Sequence, residues 1–185
     1  SILTIFDNLT NSLVGNNLFP KFFQASSSEL FANSSEPLNE SSLLLPRSPY
    51  AEAKLKNHYK VTSLKEEYSW SIYSGLMFNH ESEFRKNNYL IMKIINNAIK
   101  INNDKNHKLT IGSSEYIRDW SYAGDTANAI YNITENGNYT NYVIGSGEGH
   151  KISEILEIVF SHFNLDWRNY ILIDNSLLRK GDPNK

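Results

Sequence analysis

Arg47-Ser48-Pro49-Tyr50-Ala51-Glu52-Ala53-Lys54 places a tyrosine at the start of a helix and a lysine one turn later. Residues four apart on a helix share a face, so the phenol and the ammonium sit side by side over one ligand. Ser48 suits the cap position and Pro49 the first turn. A cation beside a tyrosine favours the phenolate and lowers a pKa that is ordinarily about 10, which makes the group a usable base. That is the chemistry of a carbonyl/alcohol redox site. The interval alone does not establish it. Tyr89 and Lys93 repeat the same spacing, and in a chain rich in both residue types a helix surface accounts for it more often than a site does.

Composition sets the outer limits. The chain has 185 residues and a net charge of -2, enough for one domain with a real core and without a field that steers nucleic acid. No apolar run approaches a membrane span, and the first residues lack the features of a signal peptide. The absence of cysteine removes disulfides, thiolate nucleophiles and cysteine-bound zinc. His58, His80, His107, His150 and His162 include no pair at the i, i+4 interval of a helical metal site. No metal, no nucleic acid and no membrane are therefore expected, and a reduced, cytoplasmic setting fits.

Upstream of the tyrosine, Ile2, Leu3, Ile5, Phe6, Leu9, Leu13 and Val14 are spaced as an amphipathic helix closed by Gly15-Asn16-Asn17. Pro20 leads into Lys21–Ala25, short and aromatic, which reads as a buried strand ending in Ser26-Ser27-Ser28. Those serines are either a strand-to-loop transition that satisfies local backbone groups or part of a site. In the second case Glu29 adds a carboxylate at the carboxyl end of a strand, where open α/β sheets place their ligands. Asn33 to Ser42 is a polar loop. Downstream, the helix continues to about Tyr68, and Trp70–Phe78 is a strand by its aromatic and β-branched content. Asn79-His80-Glu81-Ser82 follows it directly, as a candidate site or as a turn capped by Asn79.

Tyr89 to about Ile101 is helical by its apolar repeat, Leu109–Gly112 is a short strand and turn, and Arg118-Asp119-Trp120 precedes a helix from about Gly124 to Glu135. Asn141–Ile144 is another strand, Ile152–Phe163 an amphipathic helix and Tyr170–Ile173 a last strand. Strand and helix alternate, so the class is α/β with a mainly parallel sheet.

The blocks Phe23-Gln24-Ala25-Ser26-Ser27-Ser28-Glu29-Leu30, Pro46-Arg47-Ser48-Pro49-Tyr50-Ala51-x-Ala53-Lys54 and Phe78-Asn79-His80-Glu81-Ser82 with Arg85 come in that order. Arg118-Asp119-Trp120, Val143-Ile144-x-x-Gly147-Glu148-x-His150 and Gly181-Asp182-Pro183 follow. Together they resemble the extended short-chain dehydrogenase/reductase family, in its GDP-mannose 4,6-dehydratase branch. The resemblance implies a Rossmann-like α/β fold: a partial doubly wound parallel sheet with a smaller C-terminal substrate-binding part. Residues 1–80 would be the C-terminal half of a Rossmann NADP-binding domain. Residues 81–185 would be a mixed region contributing the nucleotide-sugar-binding part and a returning strand of the sheet.

The implied activity is conversion of GDP-mannose to GDP-4-keto-6-deoxymannose by C4 oxidation, loss of water across C5 and C6, and return of hydride to C6. By the same resemblance Tyr50 takes the O4 proton, and Lys54 lowers the tyrosine's pKa and binds the nicotinamide ribose. Glu29 removes the C5 proton and helps expel water, and Ser27, standing where threonine is usual, bonds O4. His80 and Arg85 fall at positions that contact NADP. Asn79, Lys93 and Arg118 fall at positions near the nucleotide sugar, Arg118 as a diphosphate partner whose fork matches phosphate oxygens. The first helix and the Tyr50 helix are expected to pack against their copies in a homo-oligomer.

Three features depart from the branch's pattern. No Gly-x-x-Gly-x-x-Gly turn is present to cradle the cofactor pyrophosphate, and Ser1 would lie inside the helix before the fourth Rossmann strand, leaving half of the cofactor bed outside these residues. Asp174-Asn175-Ser176-Leu177-Leu178-Arg179-Lys180 replaces the expected Tyr-x-Arg-Pro-x-Glu. Glu83 and Phe84 replace a proline and the first of two arginines, so only Arg85 remains. The alternative to an enzyme is a non-catalytic remnant or dimerisation module. A sister epimerase or dTDP-glucose dehydratase is the weaker third reading, because epimerases generally lack the carboxylate at Glu29.

Overall fold

The computed structural model describes residues 2–32 and 37–178. In chain order the elements are α1 (Ile2–Gly15), β1 (Phe22–Ala25), α2 (Pro49–Tyr68), β2 (Ile72–Met77), β3 (Asn79–Glu81), α3 (Leu90–Asn103) and β4 (Leu109–Ile111). They continue with β5 (Ile117–Tyr122), α4 (Ala123–Asn136), β6 (Asn141–Ile144), β7 (Gly149–Lys151), α5 (Ile152–Ser161) and β8 (Ile171–Ile173). Asn33–Glu36 of the expected polar loop, Arg179 and Lys180, and the Gly181-Asp182-Pro183 block lie outside the described residues. Among the described residues no helix is long and apolar enough to cross a membrane.

These elements form two compact units, one of Ser1–Phe78 with Ala123–Ser146 and the other of Asn79–Tyr122 with Gly147–Lys185. In the first, β1, β2 and β6 make a parallel sheet with β2 in the middle, Ala25 opposite Gly75 and Gly75 opposite Tyr142. β2 is a near-continuous buried run, as expected for a strand covered on both faces. The α2 helix begins as its sequence dictates. Ser48 is extended (φ −142°, ψ 154°), its Oγ accepts from the Ala51 amide at 3.1 Å, and Pro49 occupies the first turn. It ends at Ser69, whose φ of 50° is left-handed and stops the helical repeat. The core here joins Phe6 of α1, Val61 and Leu64 of α2, Trp70 and Ile72. A second cluster gathers Leu30, Phe31 and Leu76, with Leu55 against them.

Gly75 explains how tightly β1 and β2 approach. A Cβ built there would overlap the Phe23 ring. Gly75→Ala is expected to lower the urea midpoint by about 1–3 kcal/mol of stability, and Phe23→Leu in the same chain to recover part of it. Equal midpoints for Gly75→Ala and the parent would show that the ring moves aside freely.

In the second unit β3, β5 and β7 form one sheet and β4 and β8 another. The β3–β5 and β4–β8 pairs are parallel and β5–β7 is antiparallel. Its core is Ile94, Ala98 and Ile101 of α3, Leu109 and Ile111 of β4, and Ile152, Leu156 and Phe160 of α5. The α/β class with parallel pairing is what the alternation implied, and one local expectation is corrected. Asn79-His80-Glu81 is a strand rather than a polar turn, paired with Trp120-Ser121-Tyr122. Arg118-Asp119-Trp120 is the middle of a strand as well. Both carry polar side chains, so their apolar signal is weak. Pairing is supplied by partners distant in sequence, which override local propensity.

Candidate active site

At the carboxyl end of β1 the chain turns through a single 3-10 turn, Ser28–Leu30. Ser27 caps it, with its Oγ accepting from the Glu29 amide at 3.2 Å, and Leu30 is fully buried beneath it. Burying Leu30 fixes the turn, which leaves the Glu29 carboxylate exposed. The turn packs on α2, and this brings Tyr50 within reach of both residues. The phenol hydrogen-bonds Ser27 and lies close enough to Glu29 to feel its charge. Tyr50 is 42% exposed, accessible for a reactive group. One turn on, the Lys54 ammonium donates to the Ala25 carbonyl at 2.6 Å and stands 5.7 Å from the centre of the Tyr50 ring. Ser27, Glu29, Tyr50 and Lys54 are therefore brought together by β1, the turn and the first turns of α2.

The electrostatics differ from the expected phenolate. Burial raises the Tyr50 pKa above its ordinary value; the Ser27 hydrogen bond works against this and the Glu29 carboxylate adds to it. Lys54 is itself pushed down by burial. The expected depression of the phenol by Lys54 does not arise: the ammonium is engaged by the Ala25 carbonyl, burial dominates, and the Glu29 carboxylate resists a second negative charge. At neutral pH the phenol holds its proton. An acid whose folded pKa lies above its unfolded one binds more protons when folded. Its contribution to stability is thus intact below the ordinary phenol range and falls as pH rises from there towards the folded value.

A prediction follows from the sign of the Glu29 effect. In Glu29→Gln the Tyr50 titration, followed by NMR of ring-labelled tyrosine with Tyr50→Phe as the assignment control, should move down. An unchanged or higher value would place the carboxylate away from the phenol.

Asn79, His80, Arg85, Lys93 and Arg118 belong to the second unit and not to this cluster. Asn79 is exposed on β3, and its register opposite Trp120 puts it one strand away from Arg118 of β5. Arg85 lies 3.4 Å from the Glu81 carboxylate and stacks 3.6 Å over the centre of the Tyr89 ring. Burial raises the Glu81 pKa, partly offset by Arg85 and His80. The Lys93 ammonium donates to the Thr110 carbonyl of β4 at 2.9 Å. Arg118 donates to the Ile117 carbonyl at 2.7 Å and faces the Tyr116 ring at 5.3 Å. Two anchors were not read from the sequence. The Ala25 carbonyl that takes Lys54 is backbone and leaves no signature. The Glu81–Arg85 pairing arises at a strand end and the turn after it, where the helical i, i+4 rule gives no signal.

Comparison with known proteins bears on this cluster. A family model described as GDP-mannose 4,6 dehydratase matches residues 4–182. GDP-mannose 4,6 dehydratase 1 of Arabidopsis thaliana is 30% identical over 190 residues, covering 99% of this chain and 53% of its own length. Among solved structures, RMD from Pseudomonas aeruginosa complexed with NADPH is 22% identical with a TM-score of 0.83, over 91% of this chain and 59% of that one. A dTDP-glucose 4,6-dehydratase from Bacillus anthracis in complex with NAD is 19% identical with a TM-score of 0.79, over 91% and 54%. At those identities the solved structures speak to the fold alone. The chain spans about half the length of the curated relatives it matches.

Proposed function

The chain belongs to the GDP-mannose 4,6 dehydratase family, and on that premise we propose that it serves the 4,6-dehydration of a nucleotide sugar, GDP-mannose, with the Tyr50 cluster as the reacting centre. The observation that carries the reading is the convergence of Ser27, Glu29, Tyr50 and Lys54 at the end of β1. The accessible phenol and ammonium, side by side on α2, fit a nicotinamide and its ribose. Solved structures of like fold hold NAD or NADPH, which supports a nicotinamide cofactor; NADP is the form the family resemblance favours. When bound, that cofactor supplies the hydride acceptor for C4 and the donor for C6.

The chain's own residues handle the protons. Tyr50, once its own proton has left, takes the O4 proton as C4 becomes a ketone, with Ser27 bonding the same oxygen; burial and the Glu29 charge oppose that phenolate. The ketone acidifies C5–H; Glu29 removes that proton and passes it to the C6 hydroxyl, which leaves as water. Lys54 holds the cofactor ribose and the phenol in one geometry. In the second unit, His80 and Arg85 are assigned to the cofactor, and Asn79, Lys93 and Arg118 to the sugar nucleotide. Arg85 must exchange Glu81 for a phosphate to do so, which makes the NADP-over-NAD preference a direct test of its role. We assign residues 1–80 to the cofactor side and 81–185 to the sugar-nucleotide side together with a returning strand of the sheet. Exposed Ile5 and Leu9 on α1 and Tyr59 on α2 support a homo-oligomer through these helices, checked by sedimentation.

The purified chain is titrated with NADP, NAD and GDP-mannose by calorimetry, then incubated with both ligands while the 4-keto-6-deoxy product is sought by mass spectrometry. Binding and product support an enzyme. No cofactor binding at high micromolar concentration supports a non-catalytic or dimerisation module instead.

A further inference from the structure

Tyr50 and Lys54 are followed on the same face of α2, one turn further on, by His58. His58 is 5% exposed, and its Nδ1 lies 2.9 Å from the hydroxyl of Ser74, which is fully buried in the middle strand β2. Register places Ser74 opposite Gln24 and its neighbour Gly75 opposite Ala25, whose carbonyl holds Lys54. Two consecutive turns of the helix are thus hydrogen-bonded to adjoining levels of the sheet. Beyond His58, α2 packs through Val61 and Leu64 in one cluster and is tied by Lys60 to Asp7 and by Lys65 to the Tyr139 carbonyl; beside the Tyr50 turn the other packing is the apolar contact of Leu55. Apolar contact is non-directional and tolerates rotation and sliding, whereas a hydrogen bond weakens steeply as its angle opens.

Stability does not account for the pair, because apolar residues of similar shape replace a buried hydrogen-bonded pair at nearly no loss. Asn57, next to His58 and 1% exposed, has both amide atoms buried without a hydrogen-bond partner. Polar side chains are therefore buried under α2 beyond what apolar packing requires, and such groups call for an explanation.

We propose that His58, through its bond to Ser74, is a positioning residue that fixes the rotation of α2 and so the placement of Lys54 on the Ala25 carbonyl and of Tyr50 beside Ser27 and Glu29. This rests on the reading of the Tyr50 cluster as the reacting centre. Burial pushes the His58 pKa down, so the ring is neutral and brings no second positive charge beneath Lys54.

The test uses the whole chain and requires no turnover. Ser74→Ala removes a single oxygen, His58→Leu removes the ring, and His58→Gln keeps a group able to bond Ser74. The Tyr50 titration is followed by NMR of ring-labelled tyrosine. Burial is the largest influence holding that phenol up, so loosening the helix should bring its titration down by about half a pH unit or more in Ser74→Ala and His58→Leu. The double variant should shift no further than either single one, and His58→Gln should restore the parent value. A lower melting temperature with an unchanged Tyr50 titration in Ser74→Ala would overturn the proposal. That variant decides the matter even if His58→Leu fails to fold. Failure of the dehydratase reading would show separately, as absence of cofactor and sugar-nucleotide binding by the parent chain.

Discussion

Tyr50→Phe is expected to lower dehydratase turnover by about three orders of magnitude or more, the upper range for loss of a positioned general acid–base group. It removes one oxygen at a residue already 42% exposed, so binding of cofactor and sugar nucleotide should persist and the loss should fall on kcat. Glu29→Gln tests the other half of the chemistry. The amide keeps the size of the side chain but accepts no proton, so oxidation at C4 proceeds while elimination stalls. Mass spectrometry would then find the 4-keto sugar, lighter than substrate by two hydrogens and still carrying its C6 oxygen. The two variants separate the roles because they interrupt successive steps. Full turnover in either one, measured under conditions where the parent is active, would refute the assignment. If both ligands failed to bind Tyr50→Phe, the phenol would be structural.

The Tyr50 side of the cluster was legible because it follows local rules. Ser48, Pro49 and the i, i+4 interval specify a capped helix with two groups on one face, and the observed helix begins at Pro49. The turn carrying Glu29 was half legible. The serine run marks a strand end, but only the burial of Leu30 under α2 shows that the carboxylate comes near the phenol. The phenol's pKa was read in the wrong direction. A sequence shows that a lysine lies one turn away; it does not show that an Ala25 carbonyl engages the ammonium, or that burial and the Glu29 charge act on the phenol. β5 and β7 were missed for a related reason. Ile117–Tyr122 and Gly149–Lys151 are polar or short, and they are strands because of their partners, β5 lying between β3 and β7. The same interval recurs at Tyr89 and Lys93, and there it leads to a bond with the Thr110 carbonyl. Spacing identifies a shared face, and packing decides what that face meets.

Trp70→Ala should remove about 3–5 kcal/mol of stability, a large share of the roughly 5–15 kcal/mol that holds a typical domain together. Trp70 is 1% exposed and stands where four parts of the first unit meet. Its ring is edge-on to Phe19 at 5.6 Å and to Phe22 of β1 at 6.0 Å, and it packs in one cluster with Phe6 of α1 and with Val61 and Leu64 of α2. Its indole N–H donates to the Pro20 carbonyl, which ties the segment before β1 to the segment before β2. Alanine leaves a cavity that those elements close only by moving, and the loss grows with the volume left open. Trp70→Phe separates packing from hydrogen bonding: it keeps most of the ring, deletes the donor and should cost about 1–2 kcal/mol. Urea denaturation followed by circular dichroism gives both numbers, and an unchanged m-value licenses reading the midpoint shift as stability. The order matters for the reacting centre, because β1 carries Ala25 and leads into Ser27 and Glu29. In Trp70→Ala held below its melting temperature, the Tyr50 titration should already drift towards an ordinary phenol. A Trp70→Ala chain within about 1 kcal/mol of the parent would mean that this cluster does not support the strand that leads into the Ser28–Leu30 turn.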